Sequence, residues 1–301
     1  MPTRGTANAR PTADTRPVID TALVRALVDT QFPQWAGLPL RPVGQSGLDH
    51  VIHRLGEDLS VRLPRRAGAV GQARKELTWL PRLAPHLPLA VPVPVGMGEP
   101  GLGYPWPWSV ARWLDGEAAD AETLAGSSEA AVRLAEFLAA LQGFAPDGLP
   151  LDGLATGTLA DRDRVTRGAI AEADGPFDRA AMAELWDAAL GAPGRDRPPV
   201  WVHGDLHTGN LLTVDGRIGA VIDFGGLGIG DPACDLTIAF TLMTAGSRAA
   251  FRAALGVDDA TWLRGRGWAL ATGLNAYVHH AATTPWVAAQ TTRQIDAALA
   301  G

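Results

Sequence analysis

The stretch Val202-His203-Gly204-Asp205-Leu206-His207-Thr208-Gly209-Asn210-Leu211 sets a carboxylate at the end of an apolar run, and a carboxamide five residues later. Thirteen residues beyond Asn210, a second apolar run ends in Ile222-Asp223-Phe224-Gly225. Two acids and one amide of this kind suit phosphoryl transfer. Its transition state spreads negative charge over phosphate oxygens, which a divalent cation held by hard oxygen ligands neutralises. Asn210 and Asp223 can supply such oxygens. Asp205 can take the proton of an attacking hydroxyl. A single strand-end aspartate is usually a turn or cap residue. The joint pattern carries the reading.

The elements that must position these groups can be traced in outline. Asp215-Gly216 between Leu211–Val214 and Ile218–Ile222 predicts a tight hairpin, which would bring Asn210 back towards Asp223. Val200–His203 predicts the strand before Asp205. Upstream, Ile19–Phe32 has helical spacing, Leu40–Val43, Val51–Leu55 and Leu59–Leu63 read as strands, Ala69–Leu83 as a helix, and Pro92–Gly98 and Trp106–Leu114 as two more strands. After Ala121 helical patterns dominate, around 134–141 and 181–190, then over 234–244, 247–255, 261–279 and 287–300, with an irregular Gly- and Pro-rich loop over 144–158. The expected organisation is a disordered tail over 1–17, a first lobe over 18–115 and a second over 116–301, with the boundary near Asp115-Gly116.

The fold class that follows is α+β: an antiparallel sheet carrying one helix, then a mostly helical part. Composition sets limits. Apolar residues are 47% and charged residues 19% of 301, which is ordinary for a globular protein. No apolar run is long enough for a membrane span, and the first residues lack a signal-peptide core. A net charge of −6 argues against nucleic acid as a partner. Cys234 is the only cysteine, so no internal disulfide forms and a cytoplasmic setting is expected. Cys234 itself reads as a buried residue. Lys75 is the only lysine.

The sequence resembles the aminoglycoside phosphotransferase family, which shares the protein-kinase-like two-lobe fold with choline kinases and macrolide phosphotransferases. The matching pieces are His203-Gly204-Asp205 through Asn210, Ile222-Asp223-Phe224-Gly225, and Asp231-Pro232-Ala233-Cys234-Asp235-Leu236. The likeness extends over about residues 40 to 300. It implies ATP or GTP as co-substrate, Mg2+ as cofactor, Asp205 as base, Asn210 and Asp223 as metal ligands, and a hydroxylated small molecule, such as an antibiotic, as acceptor. Monomer and homodimer both remain open. Asp231 reads as the N-cap of a helix with Pro232 at its first position, and Asp235 as a brace for the catalytic loop.

On the nucleotide side, the resemblance makes Gly44-Gln45-Ser46-Gly47 a phosphate-covering loop, with Ser46 and Gly47 its contacts. Arg62 in Leu59-Ser60-Val61-Arg62-Leu63 stands where the kinase pattern has lysine, and Glu76 is its expected partner. Arginine forks where lysine is a point charge, so the grip on phosphate must differ. Lys75 is the alternative phosphate ligand, and an exposed strand arginine is the plain alternative for Arg62. In the expected hinge, backbone groups of Arg112 and Leu114 would bond the purine edge, with Val110 and Ile222 lining its faces.

The acceptor is less marked. The last 56 residues carry Asp258, Asp259 and Asp296 against Arg248, Arg252, Arg264, Arg266 and Arg293, which argues against a strongly cationic acceptor. Phe251, Trp262, Trp268, Tyr277 and Trp286 could form a stacking wall or belong to the core. A non-catalytic nucleotide-binding protein, a housekeeping metabolite kinase and a protein kinase are the competing readings. Only seven residues separate Asp223 from Asp231, too few for a long activation segment.

Overall fold

A computed structural model describes residues 17–44, 49–145, 151–194 and 198–301. The chain divides into two compact units, with crossings at Ala73/Arg74, Pro94/Val95 and Trp113/Leu114.

The first unit is a sheet with a helix. Asp20 caps α1 (Thr21–Gln31) by accepting the Leu23 N–H, and Val24, Leu27 and Val28 turn one face inward at helical spacing. Strands β1 (Leu40–Pro42), β2 (His50–Leu55) and β3 (Leu59–Pro64) precede helix α2 (Val70–Leu83), which runs on into the second unit. Strands β4 (Pro94–Gly98) and β5 (Trp108–Arg112) complete a five-stranded sheet in the order β1-β2-β3-β5-β4. The β1/β2, β2/β3 and β3/β5 pairs are antiparallel. Central β3 is buried at all six positions, including Ser60 and Arg62, which alternate with its apolar residues. Leu55, Val61, Leu63, Trp108 and Val110 join the helix residues in one core.

The second unit is mostly helical. Strand β6 (Glu117–Ala118) and helices α3 (Ala121–Leu124), α4 (Ser128–Gly143), α5 (Asp163–Glu172) and α6 (Arg179–Gly191) lead to β7 (Val200–Val202), β8 (Leu211–Val214), β9 (Arg217–Val221) and β10 (Gly228–Gly230). Helices α7 (Thr237–Leu242), α8 (Ala245–Leu255), α9 (Asp259–His280) and α10 (Pro285–Ala300) follow. Two small sheets, β6-β8-β9 and β10-β7, are inset among the helices. Asp215 and Gly216 both have positive φ, as a two-residue hairpin turn with the right twist requires. Trp79, Leu80 and Leu83 of α2 belong to this unit's core with Leu134, Phe137, Trp186, Phe224 and Leu270.

The sequence pattern missed α3, α5, β6 and β10, which are short or polar. It also made 234–244 one helix, whereas the chain turns through a 3-10 segment at Pro232–Leu236 before α7 starts at Thr237. Asp231 is the N-cap of that segment, accepting the Ala233 N–H. Among the described residues no helix is long and apolar enough to cross a membrane.

Candidate active site

The β8/β9 hairpin does the first positioning. Leu211 pairs with Val221, and just outside that pair the Ile222 N–H bonds the Asn210 carbonyl at 2.9 Å. Asn210 and Asp223 therefore sit one backbone link apart. Asn210 is buried, and its Nδ2 donates to the Asp205 carbonyl at 2.8 Å. That bond fixes the amide's orientation and leaves its Oδ1, a hard oxygen, without a hydrogen bond among the described residues. Asp223 takes the left-handed conformation, φ 62, at the start of the Phe224–Gly226 turn. Aspartate tolerates this region better than most side chains.

His203 ties the two loops together. Its Nε2 lies 3.0 Å from the Ile222 carbonyl, and the Asp205 N–H lies 3.3 Å from its Nδ1. A carbonyl only accepts, so Nε2 carries the proton and Nδ1 offers the lone pair. One buried imidazole thus holds the backbone just before Asp223 to the backbone of Asp205. Asp235 holds the same loop from behind, accepting the N–H groups of His203 at 2.7 Å and Gly204 at 2.8 Å. Complete burial raises the Asp235 carboxyl above its ordinary value, against the pull of His203 and of the two N–H groups.

Gly204 has φ 80, and a Cβ there would run into the Gly226 carbonyl. A Cβ at Gly226 would lie 2.8 Å from the His203 carbonyl. The two loops meet backbone to backbone, and only glycines allow that approach. The Asp205 side chain, 62% exposed, stands outside this packing. His207 Nδ1 accepts the Gly209 N–H, and its Nε2 lies 4.0 Å from Asp205 Oδ2. Burial pushes its imidazole below the usual value, while the Asp205 and Asp223 carboxylates pull it up. His207 therefore feels both acids.

The nucleotide-side residues fall in both units. Arg62 lies on β3 between Ile52 and Ser109 and is only 7% exposed, so the exposed-arginine alternative is corrected. Val110 is buried opposite Val61, and Arg112 ends β5, exposed, opposite Leu59. These three belong to the first unit. Glu76, buried on α2, Leu114, half-buried after β5, and half-buried Ile222 belong to the second. Ser46 and Gly47 lie outside the described residues.

Lys75 places its Nζ 2.7 Å from the Gly225 carbonyl, two residues past Asp223. The sequence named Lys75 for phosphate and gave no sign of this contact, because a carbonyl leaves no trace in residue identity.

On the acceptor side the charge-count expectation is corrected, and of the two readings of the aromatic residues the core one holds for Phe251, Trp262 and Trp268. Arg248 donates to the Ala297 carbonyl, Arg266 to those of Ala298 and Leu299, Arg252 pairs with Asp259, and Arg264 grips Asp231 at 2.6 Å. These arginines hold helices together, so their number says nothing about acceptor charge. Phe251, Trp262 and Trp268 are buried, Tyr277 donates to the Asp174 carbonyl, and Trp286 is 69% exposed. They do not make one wall. Cys234 is half-buried and lines a cavity; burial pushes its thiol up.

Residues 40–268 match the family model of the phosphotransferase enzyme family, APH. The chain belongs to that family. No curated protein matches it. Among solved structures it is similar to the GDP and kanamycin complex of APH(2″)-IIIa, at 19% identity and TM-score 0.71, with 92% of this chain and 98% of that one covered. It is similar to the macrolide 2′-phosphotransferase MphH from Brachybacterium faecium at 23% identity and TM-score 0.60, covering 93% and 96%. The streptomycin–ATP ternary complex of APH(2″)-IIa gives 15% identity and TM-score 0.63, covering 94% and 99%. At such identities these likenesses show the fold, the protein-kinase-like one of the APH phosphotransferases.

Proposed function

We propose that the chain is a small-molecule kinase that moves the γ-phosphate of ATP or GTP onto a hydroxyl of an antibiotic or similarly hydroxylated compound. Asp205 is the base in this reading, and Asn210 and Asp223 hold Mg2+. The observation that carries it is the His203 bridge. It locks the Asp205 loop to the loop that ends in Asp223, while the Asn210 amide is pinned between them.

The donor set fits the metal. Magnesium prefers oxygen ligands, and takes one or two carboxylates together with substrate phosphates and water. Asn210 and Asp223 offer one carboxamide and one carboxylate. Among the described residues no cluster of three or more His, Cys, Asp or Glu competes as a self-sufficient site. When bound, the ion neutralises charge on the phosphate oxygens.

The protein's own groups do the rest. Asp205 is exposed enough to meet an incoming hydroxyl and accept its proton, with its backbone held by His203 and Asn210. His207, whose imidazole burial pushes below its usual value, stands with Nε2 4.0 Å from Asp205 Oδ2. Arg62 is the phosphate-facing cation in this reading, with Glu76 its partner, Val110 and Ile222 against the purine, and Arg112 and Leu114 at its edge. Ser46 and Gly47 are assigned to the phosphates by the resemblance alone. The GDP and ATP named in the complexes of similar proteins support a nucleotide co-substrate. Kanamycin and streptomycin in the same complexes support a hydroxylated antibiotic.

One observation favours a second reading. Arginine at 62, where the kinase pattern has lysine, suits a nucleotide-binding protein without transfer activity. Transfer by the wild-type protein separates the two: a hydroxyl compound that gains phosphate, with loss of transfer but not of nucleotide binding in Asp205→Ala, supports the kinase, whereas nucleotide binding with no transfer supports the second reading.

A further inference from the structure

The second unit contains a cavity of about 260 Å³ that the chemistry above does not use. Gly204 and Gly225 form part of its wall, so it adjoins the loops of Asp205 and Asp223. Lys75, Arg162, Trp268 and Thr156 contribute side chains, and no aspartate or glutamate lines it.

Lys75, Arg162 and Trp268 can only donate hydrogen bonds. Lys75 gives one proton to the Gly225 carbonyl and has two left. The Arg162 guanidinium lies over the Trp268 ring at 4.8 Å, and this side chain makes no hydrogen bond or ion pair with another described residue. Trp268 is 6% exposed, and its indole N–H is buried without a partner among the described residues. Lys75 and Arg162 put two cations on a lining without aspartate or glutamate, which is complementary to oxygen acceptors carrying negative charge.

We propose that this cavity seats an anionic group of the acceptor, a carboxylate or a phosphate. The proposal rests on the kinase reading of the adjoining loops and narrows its acceptor to a hydroxylated compound that carries negative charge. A polycationic acceptor would instead set like charges against Lys75 and Arg162. Burial lowers the Lys75 ammonium below its usual value against the upward pull of Glu76, a net cost that an anion would offset.

The only lysine of the chain reports directly on occupancy. The neutral amine attacks acetic anhydride and becomes an acetamide as acetate leaves, and mass spectrometry of the Lys75 peptide reads the extent of acetylation. The probes are inorganic phosphate and a charge series on one skeleton: glucose 6-phosphate, gluconate, glucose and glucosamine, each with and without saturating MgADP. An anion paired with the ammonium should slow acetylation about tenfold. Phosphate, glucose 6-phosphate and gluconate should protect, glucose and glucosamine should not, and Arg162→Glu should abolish the protection. Equal rates with every probe, equal protection by glucosamine, or protection that survives Arg162→Glu would overturn the proposal. So would protection by MgADP to which the anions add nothing, because nucleotide phosphates would then fill the cavity. Binding is read here without turnover. Phosphate transfer to kanamycin with Lys75 unprotected by anions would remove this inference and leave the kinase reading standing. Protection by anions with no transfer to any hydroxyl compound would uphold the anion site and remove the kinase.

Discussion

Asp235 accepts the backbone N–H of His203 with one carboxylate oxygen and that of Gly204 with the other. Both oxygens of one buried side chain are therefore needed to hold the loop that carries Asp205. Asparagine keeps one acceptor and turns a donor toward the second N–H. Asp235→Asn should lower stability by roughly 1–3 kcal/mol, read from the midpoint of urea unfolding, and should lower turnover as well. A wild-type midpoint with wild-type turnover would show that the loop is held by other means.

Gly204 faces Gly226 with no space for a side chain, and its φ is positive. Gly204→Ala should cost at least about 1–3 kcal/mol from backbone strain alone, with a further loss from the clash. A cysteine or alanine there that left thermal unfolding unchanged would mean the two loops do not pack as described.

How far the sequence reached differs between particular residues. The Asp215-Gly216 turn is local chemistry, so the hairpin that sets Asn210 beside Asp223 was legible before folding. The Asp231 cap was legible for the same reason, and so was the bracing role of Asp235. The contact of Lys75 with the Gly225 carbonyl and the burial of Arg62 were not legible. Each depends on partners far along the chain, or on a backbone atom common to every residue. The C-terminal arginines misled for a related reason: a count of charges does not tell a helix clamp from a binding cleft, and four of the five are clamps.

Arg62 supplies the test of the nucleotide side. If it grips phosphate, Arg62→Ala should raise the nucleotide KM by about 10- to 100-fold, the loss of a charge-assisted hydrogen bond of roughly 1.5–3 kcal/mol. Steady-state kinetics at varied ATP and GTP checks this. Unchanged KM and kcat would move the phosphate contact elsewhere.

The first unit should be sensitive to acid through His53. This imidazole is buried, with Nε2 3.1 Å from Thr21 Oγ1, and burial lowers its pKa below the ordinary 6.5. The unfolded chain then binds the proton more readily than the folded one. The stability His53 allows is full above pH 6.5 and is lost as pH falls from there towards the folded value. Urea midpoints should fall between pH 7 and pH 5, and His53→Gln should flatten that dependence. An unaltered slope in the variant would assign the acid sensitivity to other groups.

The account turns on Asp205 as the base for a metal-dependent transfer to a hydroxyl. The most direct measurement is mass spectrometry of a panel of hydroxylated antibiotics and anionic hydroxy compounds, incubated with the protein, Mg2+ and ATP or GTP. At least one compound should gain a single phosphate with the wild-type protein, and Asp205→Ala should slow that gain by about 100- to 10,000-fold while still binding nucleotide. Phosphate transfer by Asp205→Ala at the wild-type rate would contradict the account.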